Sequence, residues 1–195
     1  MTAITNAHAE WAVVDRLRAM LVEPPHQAYN VTQSYALCVA ILAWVMQRIR
    51  TRANEVDTPE ARAAVAVKAR LVGQPAEAMP WFARQPSSGP DIVDRGNFAD
   101  QTAFDFLKSL RDAMCHGDAR SVFPINRNGQ LVGFEFRVMS REGIEWSATL
   151  KERDLRRIGT ALAAMYCEAL QAAVAPGVHA FVDEASSMRE KRRAA

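Results

Sequence analysis

Arg111 and His116 are the two side chains whose types and spacing suggest chemistry done together. An imidazole titrates near neutral pH and can give or take a proton there. A guanidinium stays charged and presents a planar fork of donors that fits a phosphoryl group. An acid–base group beside a phosphate binder is equipment for breaking a phosphodiester. RNA carries its own nucleophile, the 2′-OH beside each phosphate, so such a pair needs no metal to cut it. Asp112 directly follows the arginine, and Asp118 and Arg120 lie just beyond the histidine.

The elements that must position these groups are legible around them. Phe104, Leu107, Leu110 and Met114 recur at spacings of three, three and four, which predicts one apolar stripe on a helix over 98–117 that Asp100 can cap. Asp105, Lys108 and Asp112 fall on the other side. At about 100° per residue, Arg111 projects inside the apolar sector, between Leu107 and Phe104. Burying a guanidinium unpaired is costly, so it needs a carboxylate, a second subunit or a phosphate. Residues five apart on a straight helix diverge by about 140°, so spacing alone does not put Arg111 and His116 on one face. A helix ending near Gly117 frees the imidazole to swing back.

The string Arg111-Asp112-Ala113-Met114-Cys115-His116, with Leu110 before it and Gly117 after it, resembles the Arg-x4-His signature of the HEPN superfamily (higher eukaryotes and prokaryotes nucleotide-binding). The resemblance runs from about Phe98 to Leu170, and the first ninety residues match no family motif. It implies an all-helical bundle closed by the motif, and metal-independent RNA cleavage leaving a 2′,3′-cyclic phosphate and a 5′-hydroxyl. It also implies a homodimer whose two motifs face each other across a shared cleft, with no cofactor. By the family pattern Asp112 orients the histidine or the arginine. Just outside the motif, Asp118 and Arg120 are candidate substrate-binding residues, Asp118 supporting the motif and Arg120 contacting phosphate. Many HEPN nucleases are toxins or phage-defence effectors, which makes an antitoxin protein a further expected partner. In one toxin group the motif continues His-x-Tyr and the partner modifies that tyrosine; Asp118 stands there in this chain, so that mode of control is not supported. Other HEPN proteins bind RNA, nucleotide or a protein partner without cutting. In the blandest reading Arg111 pairs with a carboxylate across a dimer, and His116 is a cation at a helix C-terminus.

The bulk numbers fit one domain of 195 residues, long enough for a core. Apolar content of 49% and charged content of 24% are ordinary for a globular chain. A net charge of +2 argues against a strongly basic nucleic-acid coat and leaves room for a local positive cleft. Of the three widely spaced cysteines, Cys38 and Cys167 sit in apolar helical patterns and read as buried thiols. No disulfide framework, metal-ligand set or Gly-rich phosphate loop is visible. His8, His26 and His179 read as surface residues near element ends. The chain opens without the basic cap and apolar run of a signal peptide, and its most apolar run, Tyr35 to Met46, is too short to span a bilayer. A cytoplasmic protein without a membrane partner is expected.

The rest of the chain predicts a mainly α fold, a helical bundle with a small β-meander inserted after the motif helix. A helix over 6–22 buries Trp11, Val14, Leu17 and Leu21 and stops at Pro24-Pro25. A second, over 32–52, is apolar nearly all round, which makes it the centre of a bundle or a helix shared with a second subunit; Asn30 to Ser34 offer its caps. Arg48, Arg50 and Arg52 suit the negative end of its dipole. Thr58-Pro59 opens a third helix ending near Leu71. Residues 73–97 form a Pro/Gly-rich loop whose Met79-Pro80-Trp81-Phe82 pins it to the core. Val122–Ile125, Leu131–Met139 and Ile144–Leu150 alternate as strands, with a hairpin at Asn128-Gly129. Thr149 and Glu152 read as a capping box for a last long helix carrying Leu155, Ile158, Leu162, Met165 and Leu170, which ends at Pro176-Gly177. Lys191-Arg192-Arg193 reads as a solvated tail.

Overall fold

Strong local signals account for most of the elements in the computed structural model, which describes residues 9–22, 30–52, 57–82, 93–94, 101–115, 121–141 and 143–173. Among the described residues are five α-helices: α1 (Ala9–Val22), α2 (Asn30–Arg52), α3 (Pro59–Val72), α4 (Ala103–Cys115) and α5 (Glu152–Ala173). Four strands, β1 (Val93–Asp94), β2 (Val122–Arg127), β3 (Gln130–Ser140) and β4 (Gly143–Lys151), form one antiparallel sheet in the order β1-β4-β3-β2. The fold is mainly α with a small sheet, three of whose four strands follow α4. No helix among the described residues is long and apolar enough to cross a membrane.

α2 is the axis. Cys38, Ile41, Leu42, Val45, Met46 and Ile49 are buried along it, and Tyr35, Leu37, Val39 and Trp44 pack against that core. A helix apolar nearly all round needs neighbours on every side to take its surface out of water, at about 25 cal/mol per Å2. Here α1, α3, α4, α5 and β3 supply them. α2 is thus the central helix of the bundle. Gly159 of α5 permits a close approach: a Cβ there would stand 2.5 Å from Leu21 Cδ1 of α1. On α1 itself, Trp11, Val14 and Leu21 are buried as their spacing predicts, while Leu17 is only partly so. The helix also buries a carboxylate its pattern does not announce: Asp15 accepts from Arg18 Nη2 at 2.5 Å.

Helix ends follow capping chemistry, with two corrections. α3 starts as expected: Thr58 accepts from the Ala61 amide at 3.1 Å, and Pro59 needs no partner at the first position. For α4 the cap is Thr102. Its Oγ1 accepts from the Asp105 amide at 3.1 Å and donates to the Asp105 carboxylate at 2.7 Å. The predicted cap, Asp100, lies outside the described residues. At the start of α5, Thr149 does not cap. It stays in β4, opposite Glu135 of β3 and Val93 of β1, because the ladder claims its backbone up to Lys151. The cap is instead Asp154, whose Oδ2 reaches back to the Lys151 amide at 2.9 Å. Glu152 is used elsewhere, accepting from Ser34 Oγ of α2 at 2.9 Å. Ser34, one of the predicted caps of α2, is thus a buried tie between α2 and α5.

The meander forms with each strand slightly longer than its alternation suggests. Asn128 (φ 52) and Gly129 (φ 74) both take positive φ, the demand of the tight turn that Asn-Gly serves. On β3, Phe136 is buried and Phe134 and Val138 pack on the core, while Glu135 and Arg137 pair with each other on the opposite face. There Arg137 also lies 4.2 Å from the ring centroid of Phe123. In the Pro/Gly-rich stretch Met79 and Trp81 are buried, as expected, and the Ala76 amide donates to the Gln101 carbonyl at 2.9 Å. The same stretch contains β1, which the reading of it as a loop misses. Two residues carry no periodicity, and β1 exists only because β4 offers an edge to pair with.

Candidate functional site

α4 buries Ala103, Phe106, Leu107, Leu110, Ala113 and Met114. Phe106 and Ala113 shift the centre of the buried face away from Phe104, which is only partly buried. The reason is the sheet: Phe106 meets Trp146 of β4 at 5.9 Å between ring centroids, and Trp146 donates from Nε1 to Gln101 at 3.2 Å. Counted around the helix at about 100° per residue, Arg111 then stands on the flank of the stripe rather than inside it. This corrects the expectation from Phe104, Leu107, Leu110 and Met114 alone. The Arg111 side chain keeps 22% of its surface and that of Asp112 keeps 29%.

The partner that Arg111 requires is its own neighbour. Arg111 Nη2 lies 3.1 Å from Asp112 Oδ1, an oxygen screened from solvent. A partly buried pair of this kind stabilises less than a fully buried one. It is the one ion pair Arg111 makes among the described residues. A guanidinium has five N–H donors, so an anion can be bound without stripping a partner out of the core.

One turn beyond Arg111, Cys115 shares its side of α4 and is exposed. Burial of the sulfur pushes its pKa up; Arg111 opposes that and Asp112 adds to it, so the thiol form is favoured. The phenol of Tyr35 is also pushed up, first by burial and then by the charges of Cys115 and Cys38. Tyr35 lies on α2, which packs against α4, and its phenol remains a protonated donor. Its ring lies 4.7 Å from that of Phe134 and 6.1 Å from that of Phe136, nearly parallel to the latter. Phe136 is fully buried, while Tyr35 and Phe134 are half-buried.

The structure thus brings together Arg111 and Asp112, and adds Cys115 on the same side of α4, which motif spacing did not single out for this site. Tyr35 and Phe134 come from elements distant in sequence, and only the packing of α2 against β3 unites them. His116, Asp118 and Arg120 lie outside the described residues, as do His8, His26 and His179. α4 is described as far as Cys115. The two thiols read as buried are so, with Cys38 pushed up to about 12 by burial. No group of three or more His, Cys, Asp or Glu side chains among the described residues is placed to hold a metal ion.

No family model matches the chain, and neither a curated protein nor a solved structure is found to be similar to it.

Proposed function

We propose that the chain is a metal-independent endoribonuclease that works through Arg111 and His116. The observation that carries this reading is the place of Arg111: on the flank of α4, partly buried, and paired only with its neighbour Asp112 among the described residues. An arginine needed for the core would be expected to have a buried carboxylate from another element. The resemblance of Arg111 to His116 to the HEPN signature supports the same assignment.

In this reading His116 takes the proton of the 2′-OH, whose oxygen attacks the adjacent phosphorus. The bond from phosphorus to the 5′-oxygen breaks, and that oxygen receives a proton. The products are a 2′,3′-cyclic phosphate and a 5′-hydroxyl. Arg111 places its donors on the non-bridging oxygens, where negative charge builds in the transition state. Asp112 holds the guanidinium, limiting the freedom lost when substrate binds. Two chains with their motifs facing one another would double the positive charge at the cleft, and a toxin or defence role would suit an enzyme that cuts RNA without a cofactor.

Single-stranded RNA incubated in EDTA tests the proposal. The wild type is expected to cut it and leave cyclic phosphate ends, and His116→Ala to lose the activity while keeping the melting temperature. Activity that requires a divalent metal, or that survives in His116→Ala, would contradict it.

A further inference from the structure

We propose that Lys108 of α4 and Lys68 of α3 extend the phosphate site of Arg111 into a line of three cations. That line holds the backbone of a single-stranded RNA on one side of the bond to be cut. The inference rests on the ribonuclease reading above and deepens it.

The line follows from helix geometry. At about 100° per residue, Phe104, Lys108, Arg111 and Cys115 fall within about 60° of one another around α4. They lie where its buried face meets solvent: Phe104 and Arg111 are half-buried, and Lys108 and Cys115 are exposed. Along the axis Lys108 stands about 4.5 Å from Arg111, and Phe104 about 10.5 Å from it. α3 runs past the same flank. Just beyond its end the Gln74 carbonyl accepts from the Ala103 amide at 2.9 Å, which ties the chain after α3 to the start of α4. Lys68 Nζ lies 5.8 Å from the ring centroid of Phe104, within reach of a cation–π contact. The ring thus sets an ammonium from a second helix at the end of the line away from Arg111.

Charge sets these lysines apart from an ordinary solvated face. Lys108 has Asp105 one turn before it and Asp112 one turn after, the positions that usually pair on a helix, yet it makes no ion pair among the described residues. Both carboxylates are engaged otherwise. Asp105 accepts from Thr102 Oγ1 at 2.7 Å, and Asp112 stands 3.1 Å from Arg111. Lys68 is exposed and likewise makes no ion pair among the described residues. Arg70, two residues on, projects from the opposite flank of the buried face of α3, formed by Ala61, Ala63, Ala64, Val67 and Leu71.

An RNA strand carries a negative charge on every nucleotide, and cations that meet those phosphates release the counterions around them. One line of cations on one helix flank matches one strand, whereas a duplex would present two rows of phosphates to it. Contacts of this kind position the strand and carry no sequence information. Lys68 and Lys108 are accordingly substrate-binding residues, outside the proton transfers.

The test is the salt dependence of binding to a short single strand of fully 2′-O-methylated RNA, which has no free 2′-OH and so cannot be cut by the proposed route. Wild type, Lys108→Gln, Lys68→Gln, the double variant and Arg70→Gln are compared, with melting temperatures on the same preparations. Each lysine variant is expected to keep its melting temperature and to lower the slope of log Kd against log salt by about 0.7, and the double variant by about 1.4, the loss of one and of two phosphate contacts. Kd should rise most at low salt and by the same factor for strands of different sequence, and Arg70→Gln should match wild type. Lysine variants with the wild-type slope overturn the inference, and wild-type cleavage of all-ribose RNA would leave the ribonuclease reading standing without it. An equal fall in slope for Arg70→Gln shows a diffuse positive field in place of a line and overturns it as well. Binding with the expected slopes but no cleavage of all-ribose RNA would support the line and sink the ribonuclease reading; neither binding nor cleavage would sink both.

Discussion

Arg111 is the residue whose environment decides most. A guanidinium locked to a carboxylate in the core would cost about 3–5 kcal/mol on removal, because the partner would be left buried and uncompensated. Its partner is instead Asp112, on the same turn, and both side chains keep part of their surface. Arg111→Ala is therefore expected to destabilise by about 1–2 kcal/mol, less than the loss of a fully buried pair. Turnover should fall by about 10²–10³, the loss seen when one transition-state donor is removed. Lys keeps the charge and loses the fork, so Arg111→Lys should restore activity only in part. Thermal melts and cleavage rates on the same preparations separate the two effects. A large drop in melting temperature with unchanged cleavage per folded molecule would make Arg111 a structural residue. The sequence located this arginine and its neighbour Asp112 from type and spacing. It misjudged how far the arginine is buried, because Phe106 and the sheet it meets were left out of the stripe.

Elements whose signals are local were the legible ones: the Thr58-Pro59 start of α3, the Asn128-Gly129 turn and the apolar stripe of α5 each depend on residues a few positions apart. Where two elements compete for the same residues, spacing alone misleads. Thr149 and Glu152 have the form of a capping box, yet β4 holds Thr149 in its ladder and the helix begins three residues later, at Glu152, with Asp154 closing the junction. Asp154 is buried, and desolvation holds its pKa above the ordinary carboxylate value despite the Lys151 amide and the nearby Arg153, Arg157 and Lys151. A raised folded pKa means that the folded state binds the proton more tightly than the unfolded chain. Its contribution to stability is full below the ordinary carboxylate pKa and is lost as pH rises through the raised value. Asp154→Asn keeps an acceptor for the Lys151 amide and removes the charge. The variant should gain on the wild type as pH rises from about 3 to 7, with the two alike at the acid end. Melting temperatures across that range check it, and a variant that loses ground as pH rises would show that the ionised carboxylate is stabilising.

At the scale of the whole molecule, the packing of α2 bears on assembly. Its apolar circumference, together with a charge thought to lie in an apolar stripe, was a reason to expect a second subunit. Both are accounted for within one chain, by α1, α3, α4, α5 and β3 around α2 and by Asp112 beside Arg111. The homodimer now stands on the Arg-x4-His resemblance, with two motifs facing one another, and sedimentation at micromolar concentration should show a mass of two chains. A monomer at every concentration at which RNA is cut would rule out a composite site and leave one Arg111 and one His116 to act alone. The central claim is chemical, that the nucleophile is the 2′-OH of the substrate, and it is tested most directly by changing one atom of RNA. A strand with a single 2′-deoxy nucleotide at the cleavage position, mixed with wild-type protein in EDTA, should remain whole at that bond while the all-ribose strand is cut there. Cleavage of the deoxy bond at a comparable rate would contradict the account.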